Sequence, residues 1–225
     1  MTLPSPRAVI FDWDNTLVDT WPIIHEAINA TFAKWQFPIW TLDETKARVR
    51  KSMRDSFPEI FGGEWQKAGE FYQQQYRSLH LEKLKPLPGA AKVIKYVKER
   101  GLFSAVVSNK KAVNLRQEVE HLGWQPLFNV VVGSDDAPQD KPHADPVILA
   151  FEKSPIKPGS DVWFIGDSDI DLECANTTGC TAILYGESAR HHLKYTTTHF
   201  HGFPYRAHVH THKELLVILS EAEVF

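Results

Sequence analysis

The sequence predicts an α/β fold, a doubly wound parallel sheet with an all-helical cap inserted after the first strand. Three observations predict it. Short, nearly continuous apolar runs recur along the chain, and helix-patterned segments alternate with them. One block of nearly 70 residues, from about Asp19 to Pro86, breaks that alternation with helical pattern alone.

The first apolar run, Arg7–Phe11 (RAVIF), ends in a polar cluster, as a buried parallel strand does when functional groups sit at its carboxyl end. Comparable runs follow at Phe103–Val107 (FSAVV), Asn129–Val132 (NVVV), Asp161–Ile165 (DVWFI) and Thr181–Leu184 (TAIL). Between them the pattern is helical. Gly89–Arg100 stops at Gly101, Val113–Leu122 at Gly123 and Asp169–Thr178 at Gly179, while Asp145–Lys153 follows a polar loop. Within the strandless block the helical stretches are Pro22–Trp35, Leu42–Arg54 and Glu64–His80. Thr41 with Glu44 three residues on marks a helix start, and PLPG at 86–89 marks the return to the sheet. The predicted division is therefore an α/β core of residues 1–18 and 87–225, with a helical cap of residues 19–86.

Composition narrows the function classes. With 43% hydrophobic and 24% charged residues, the chain reads as an ordinary soluble globular protein. A formal net charge of -3 argues against a general nucleic-acid or membrane-surface binder. No stretch approaches a membrane span, and the N-terminal residues lack the apolar core of a secretory signal. Only Cys174 and Cys180 are present, too few for a disulfide framework, so the expected compartment is reduced and cytoplasmic. Oligomeric state is not legible.

Residues 8–16 read AVIFDWDNT, two aspartates separated by one tryptophan at a strand end. Alternation along an extended segment puts Asp12 and Asp14 on one face and turns Trp13 away. Two adjacent carboxylates repel, and a hard divalent cation such as Mg²⁺ is the natural compensation. The plainer alternative is a turn in which Asp14 and Asn15 cap the next segment. The second run ends VVSNK, where Ser108 and Asn109 are placed to bind an oxyanion or, equally, to cap the helix that follows. QDKPHADP offers Lys141 as a positive charge for phosphate. WFIGDSDIDLECA puts Asp167 at the end of a buried strand and Asp171 four residues later, with Asp169 favouring the helix N-terminus.

Taken in order, D-x-D-x-T, S-N, K-P and G-D-S-x-x-D at four successive strand ends resemble the four signatures of the haloacid dehalogenase-like superfamily. The resemblance covers roughly 7–18 and 87–190, implies a Rossmann-like core, and places that family's helical cap where the strandless block lies. It implies roles position by position. Asp12 would be the nucleophile, and Asp14 the acid and base, with Thr16 orienting the loop. Ser108, Asn109 and Lys141 would hold the phosphoryl group. Asp12, Asp14 through its backbone carbonyl, and Asp167 would ligate Mg²⁺, and Asp171 would support the metal or Lys141. An acid at position 14 favours a phosphatase over a dehalogenase, because the leaving oxygen of a phosphate ester needs a proton. A phosphomutase shares all four signatures and stays open, as does a non-catalytic module that only binds or accepts phosphate.

The overall resemblance is to the phosphoglycolate phosphatase-like branch with a small helical cap, and so to enzymes of small phosphorylated metabolites. In the cap, VRKSMRDSF groups Arg50, Lys51 and Arg54, with Arg50 and Arg54 expected four apart on one helical face. These residues, with Trp21 just past the first motif, are the candidates for substrate specificity, and the basic cluster suggests a second anionic group on the substrate. The last stretch, THFHGFPYRAHVHTHKELLVIL, carries His199, His201, His208, His210 and His212. It reads either as a zinc-chelating face or as a last strand entering a helix, with Thr211 as N-cap and Glu214 at the reciprocal position.

Overall fold

The computed structural model describes residues 3–49, 51–186 and 199–222. In chain order its elements are β1 (Ala8–Phe11), β2 (Val18–Asp19), α1 (Trp21–Lys34), α2 (Leu42–Arg48), α3 (Met53–Phe61), α4 (Trp65–Lys83) and β3 (Lys85–Pro86). Next come α5 (Ala90–Glu99), β4 (Phe103–Val107), α6 (Ala112–His121), β5 (Val130–Val132), α7 (Asp145–Ala150), β6 (Val162–Gly166), α8 (Asp169–Thr177) and β7 (Thr181–Tyr185). The chain finishes with β8 (His199–Phe200), β9 (Phe203–Pro204), β10 (Ala207–Val209) and α9 (His212–Ala222).

All five apolar runs become strands of one parallel sheet, ordered β10-β7-β6-β1-β4-β5. Their period of two divides the core into two layers. On one face Val9, Phe11, Val106, Trp163, Ile165 and Ile183 pack against Val93, Ile94, Leu115 and Leu215 of the helices. On the other, Ala8, Ile10, Ala105, Val107, Val162 and Phe164 pack against Val147, Phe151, Leu172 and Ala175. The fold class is thus α/β and Rossmann-like. Because β1 lies between β4 and β6, strand order reverses there, and a crevice opens at its carboxyl end.

The helices α1–α4 follow β1 and return to the sheet through β3, which pairs antiparallel with β2. This two-stranded link holds both crossings between cap and core side by side. Inside the cap, Ile28, Phe32, Phe57, Phe61 and Ala68 form a separate apolar cluster, with Phe32 edge-on to Trp40 at 4.5 Å between ring centres.

One expectation needs correction. The single helix over Leu42–Arg54 is two helices, because the chain becomes extended at Val49 and at Ser52, the N-cap of α3. Ser52 Oγ bonds Asp55 Oδ2 at 2.8 Å, a local polar pairing that favours a new helix start over continuation. Arg50 lies outside the described residues. Lys51 precedes α3 and Arg54 lies in its first turn. The Thr41–Glu44 capping box at the start of α2 is present.

The histidine-rich end takes the strand-then-helix course. The Glu214 N–H donates to Thr211 Oγ1 at 3.2 Å, and His208 Nε2 bonds the Gly186 carbonyl at 2.8 Å. Among the described residues the one three-ligand cluster of acids, histidines or cysteines lies elsewhere, at Asp12, Asp167 and Asp171.

His212 is fully buried, with Nδ1 donating to the Pro88 carbonyl at 3.2 Å and the Tyr185 hydroxyl 3.0 Å away. Burial lowers its pKa from 6.5 to about 4, outweighing the backbone bonds that raise it. A depressed imidazole stabilises the fold fully above pH 6.5, and that stability is lost as pH falls toward 4. The gap corresponds to about 3 kcal/mol over the whole window. Denaturant titrations from pH 7 to pH 4 should show His212→Phe losing less stability than the wild type by about that amount; parallel losses would contradict it.

Candidate active site

The parallel sheet delivers every motif to one edge. Asp12 N–H donates to the Ile165 carbonyl at 2.9 Å, and Ser108 N–H to the Val132 carbonyl at 3.0 Å, so β1 and β4 stay paired to their last residues. Just past β1 the chain turns sharply. Asn15 takes a left-handed φ of 61°, and its N–H donates to the Val18 carbonyl at 2.7 Å. That turn leaves Asp12 and Asp14 facing the cleft and sends Trp13 into the core, edge-on to Trp124.

Lys141 is the central cation. Its buried Nζ stands 2.7 Å from Asp12 Oδ1 and 2.6 Å from Asp171 Oδ1. Asn109 fixes this lysine from behind: its amide bonds both the N–H and the carbonyl of Lys141 at 2.9 Å. Asn109 also lines the cleft beside Ser108 and Lys141. Asp171 is anchored by Ser168, whose hydroxyl and N–H donate to Oδ2 at 2.6 and 3.1 Å. Gly166 makes this possible. A Cβ there would lie 2.3 Å from both Cβ and Cγ of Asp171, so no larger residue leaves room for the carboxylate.

Charge is not balanced at this centre. Asp12, Asp167 and Asp171 bring carboxylate oxygens within 4.8 Å of one another. Burial pushes Asp12 up to about 7; Lys141 lowers it, but Asp171 and Asp14 raise it again. Burial, then Asp12 and Asp171, push Asp167 well above the usual carboxylate range. Burial alone would lower the Lys141 pKa, yet Asp12 and Asp171 outweigh it and hold the ammonium charged. Three hard-oxygen donors with one ammonium beside them suit a divalent cation, which would favour the charged forms of Asp12 and Asp167.

The remaining expected residues are arranged around this centre. Ser108 is buried, and its Oγ accepts from the Lys110 N–H at 3.2 Å. Thr16 is fully buried beneath the loop, and its hydroxyl has no partner among the described residues. The Asp14 side chain stands apart from the acid cluster, with Oδ1 2.6 Å from Lys110 Nζ. Trp21 and Lys51 line the cleft, and Lys51 pairs with Glu59 at 3.2 Å. Arg54 reaches from the cap to the core. Its guanidinium forks onto Asp140, beside Lys141, and donates to the Ser134 carbonyl at 2.8 Å. It bridges the two halves of the molecule.

Cap and core enclose a cleft of about 950 Å³. Its core end holds Asp12, Asp14, Ser108, Lys110, Lys141, Asp167 and Asp171, and its cap end is walled by Ile28, Trp40, Met53 and Phe57. Lys110 was not singled out by the sequence, although it directly follows Ser108 and Asn109. Neither was Glu118, whose carboxylate pairs with Lys110 at 2.6 Å.

A doubly wound sheet with an acid-rich centre and a buried lysine at its switch point, roofed by helices, defines a capped α/β protein with its chemistry at the crevice. A profile of the haloacid dehalogenase-like hydrolases matches residues 9–185, and the chain belongs to that family. It is similar to the phosphoglycolate phosphatase of Chromobacterium violaceum, with 28% identity over 195 residues, 83% of this chain and 87% of that protein. A hydrolase of the same superfamily from Ehrlichia chaffeensis superposes with a TM-score of 0.66 at 25% identity, over 98% of this chain and 99% of that one. CbbY from Rhodobacter sphaeroides, solved in complex with phosphate, superposes with a TM-score of 0.79 at 22% identity over 96% and 99%. Among the described residues no helix is long and apolar enough to cross a membrane.

Proposed function

We infer that the chain is a phosphatase, hydrolysing a small phosphate monoester through a phosphoryl group carried on Asp12. The observation that carries this reading is the pairing of Asp12 with Lys141 inside a cluster of three acids at the switch point. Asp12, Asp167 and the Asp14 carbonyl would hold a divalent cation, Mg²⁺ by the hardness of the donors, and Asp171 would fix Lys141. When bound, the cation supplies positive charge to offset repulsion between phosphate and carboxylates.

The side chains divide the chemistry between them. An Asp12 oxygen forms a bond to phosphorus as the bond from phosphorus to the leaving oxygen breaks, and Asp14 delivers its proton to that oxygen. Water then attacks phosphorus, the Asp12–phosphorus bond breaks, and the water proton passes to Asp14. Lys141 and the Ser108 hydroxyl face the phosphoryl oxygens, where preorganised donors lower the barrier most. Relatives named phosphoglycolate phosphatase support a small, carboxylated substrate. A second anion would meet Lys51 or neighbouring basic residues of the cap, because the Arg54 guanidinium is already forked onto Asp140.

The expected result with purified protein is release of inorganic phosphate from an aryl phosphate and from 2-phosphoglycolate in Mg²⁺, abolished by EDTA and restored by added Mg²⁺. Full activity in chelator would overturn the cation assignment. Absence of turnover on a panel of phosphorylated metabolites would leave a binding module instead.

A further inference from the structure

A second charged assembly lies behind Asp14. The Lys110 ammonium is buried and touches two carboxylates, Asp14 Oδ1 and Glu118 Oε2, each at 2.6 Å. Glu118 on α6 is fully buried. Trp13 Nε1 donates to its Oε2 at 2.6 Å, the Tyr76 hydroxyl donates to Oε1 at 2.9 Å, and His80 Nδ1 lies 2.9 Å from the same oxygen. Tyr76 and His80 belong to α4 of the cap, whereas Trp13, Lys110 and Glu118 belong to the core. Burial would raise the Glu118 pKa, but Lys110 and the bonds from His80, Lys110 and Trp13 outweigh it and hold it at about 2.

A buried ion pair is a poor device for stability alone, since an apolar pair of similar volume packs as well without desolvating charge. This one has one end on a catalytic candidate. We propose that Lys110 is a positioning residue that orients the Asp14 carboxylate toward the leaving oxygen, and that Glu118 holds Lys110 in place. The geometry favours orientation over substrate binding. The ammonium is enclosed between its two carboxylates, with only 5% of its side chain exposed, while the Asp14 side chain keeps 22% exposure to the cleft. Glu118 is in turn fixed by three aromatic side chains, so the rigidity of the packed core and of cap helix α4 is passed through one lysine to Asp14. The proposal rests on Asp14 acting as the acid and base of the reaction.

The test compares an aryl phosphate, whose leaving group needs little protonation, with an alkyl phosphate, which needs the acid. Lys110→Met should lower kcat/KM, which reports transfer to Asp12 and not the later hydrolysis, on the alkyl ester by about tenfold or more beyond any loss on the aryl ester. Glu118→Gln should move the same ratio in the same direction. The double variant Lys110→Met/Glu118→Gln removes both charges together and keeps the question answerable if one single variant does not fold. Adding Lys110→Met to Asp14→Asn should leave the alkyl-to-aryl ratio of Asp14→Asn unchanged, because the lysine acts only through that carboxylate. Equal losses on both esters in the lysine variants, with Asp14→Asn still selective, would make the assembly purely structural and overturn the proposal alone. Equal losses in Asp14→Asn itself would overturn the role of Asp14, and the proposal with it.

Discussion

Asp12→Asn is expected to lower turnover of any phosphate ester by roughly 10⁴-fold or more, since removing one member of a concerted catalytic unit costs nearly all of its rate enhancement. The amide keeps the volume of the carboxylate and removes its charge. Stability should not fall with activity. The Asp12 carboxyl sits at about 7 because burial, Asp171 and Asp14 together outweigh Lys141. Its negative form is therefore less favoured than that of a solvated carboxylate until a cation arrives, and Lys141 keeps Asp171 as a partner at 2.6 Å in the variant. Thermal unfolding without added metal should place Asp12→Asn at or slightly above the wild type. Mg²⁺ should raise the Tm of the wild type, because it binds only the folded state, and should raise that of the variant much less. A variant retaining activity within tenfold would remove Asp12 from the chemistry.

Lys141→Met should lose activity on every ester, by about 10²–10³-fold as for other preorganised transition-state donors, and it should also lose stability. Here the substitution leaves Asp12 and Asp171 facing each other without the ammonium that lies between them. Breaking a buried pair by removing one partner costs about 3–5 kcal/mol, so the Tm should drop well below that of Asp12→Asn. The opposite stability responses of the two variants separate charge repulsion from general damage. Equal Tm values would mean that Lys141 does not compensate the acids.

The sheet was legible because its strands are buried on both faces and read as unbroken apolar runs, from RAVIF to TAIL. The site was legible because parallel strands carry their functional residues on one edge and the four signatures follow one another in order, Asp12, Ser108 and Asp167 at strand ends and Lys141 in a polar loop before a helix. The cap was legible as helical but not in its breaks. Helical periodicity runs through VRKSMRDSF, and what divides it is the local pairing of Ser52 with Asp55, which competes with the helix ladder. The assembly behind Asp14 was not read at all. Glu118 meets Trp13 across 105 residues and Tyr76 across 42, and single polar residues on a helix look like solvated surface. The available signal was the face of α6, where Ala112, Asn114, Leu115, Glu118 and Val119 are the buried positions, so the glutamate falls on the apolar side. Arg54 was read as a substrate ligand because clustered basic residues suggest an anion, whereas the anion it meets is Asp140 of its own chain.

The phosphoryl group on Asp12 can be looked for directly. Asp14→Asn should form it from an aryl phosphate at a useful rate yet release it slowly, since the hydrolytic water lacks its base. Quenching that variant in acid after a single turnover and digesting it should give one peptide, containing Asp12, heavier by one phosphoryl group. The same treatment of Asp12→Asn should give none. Stoichiometric phosphate release with no modified peptide at any time, or a phosphoryl group on any other residue, would contradict the assignment of Asp12 as nucleophile.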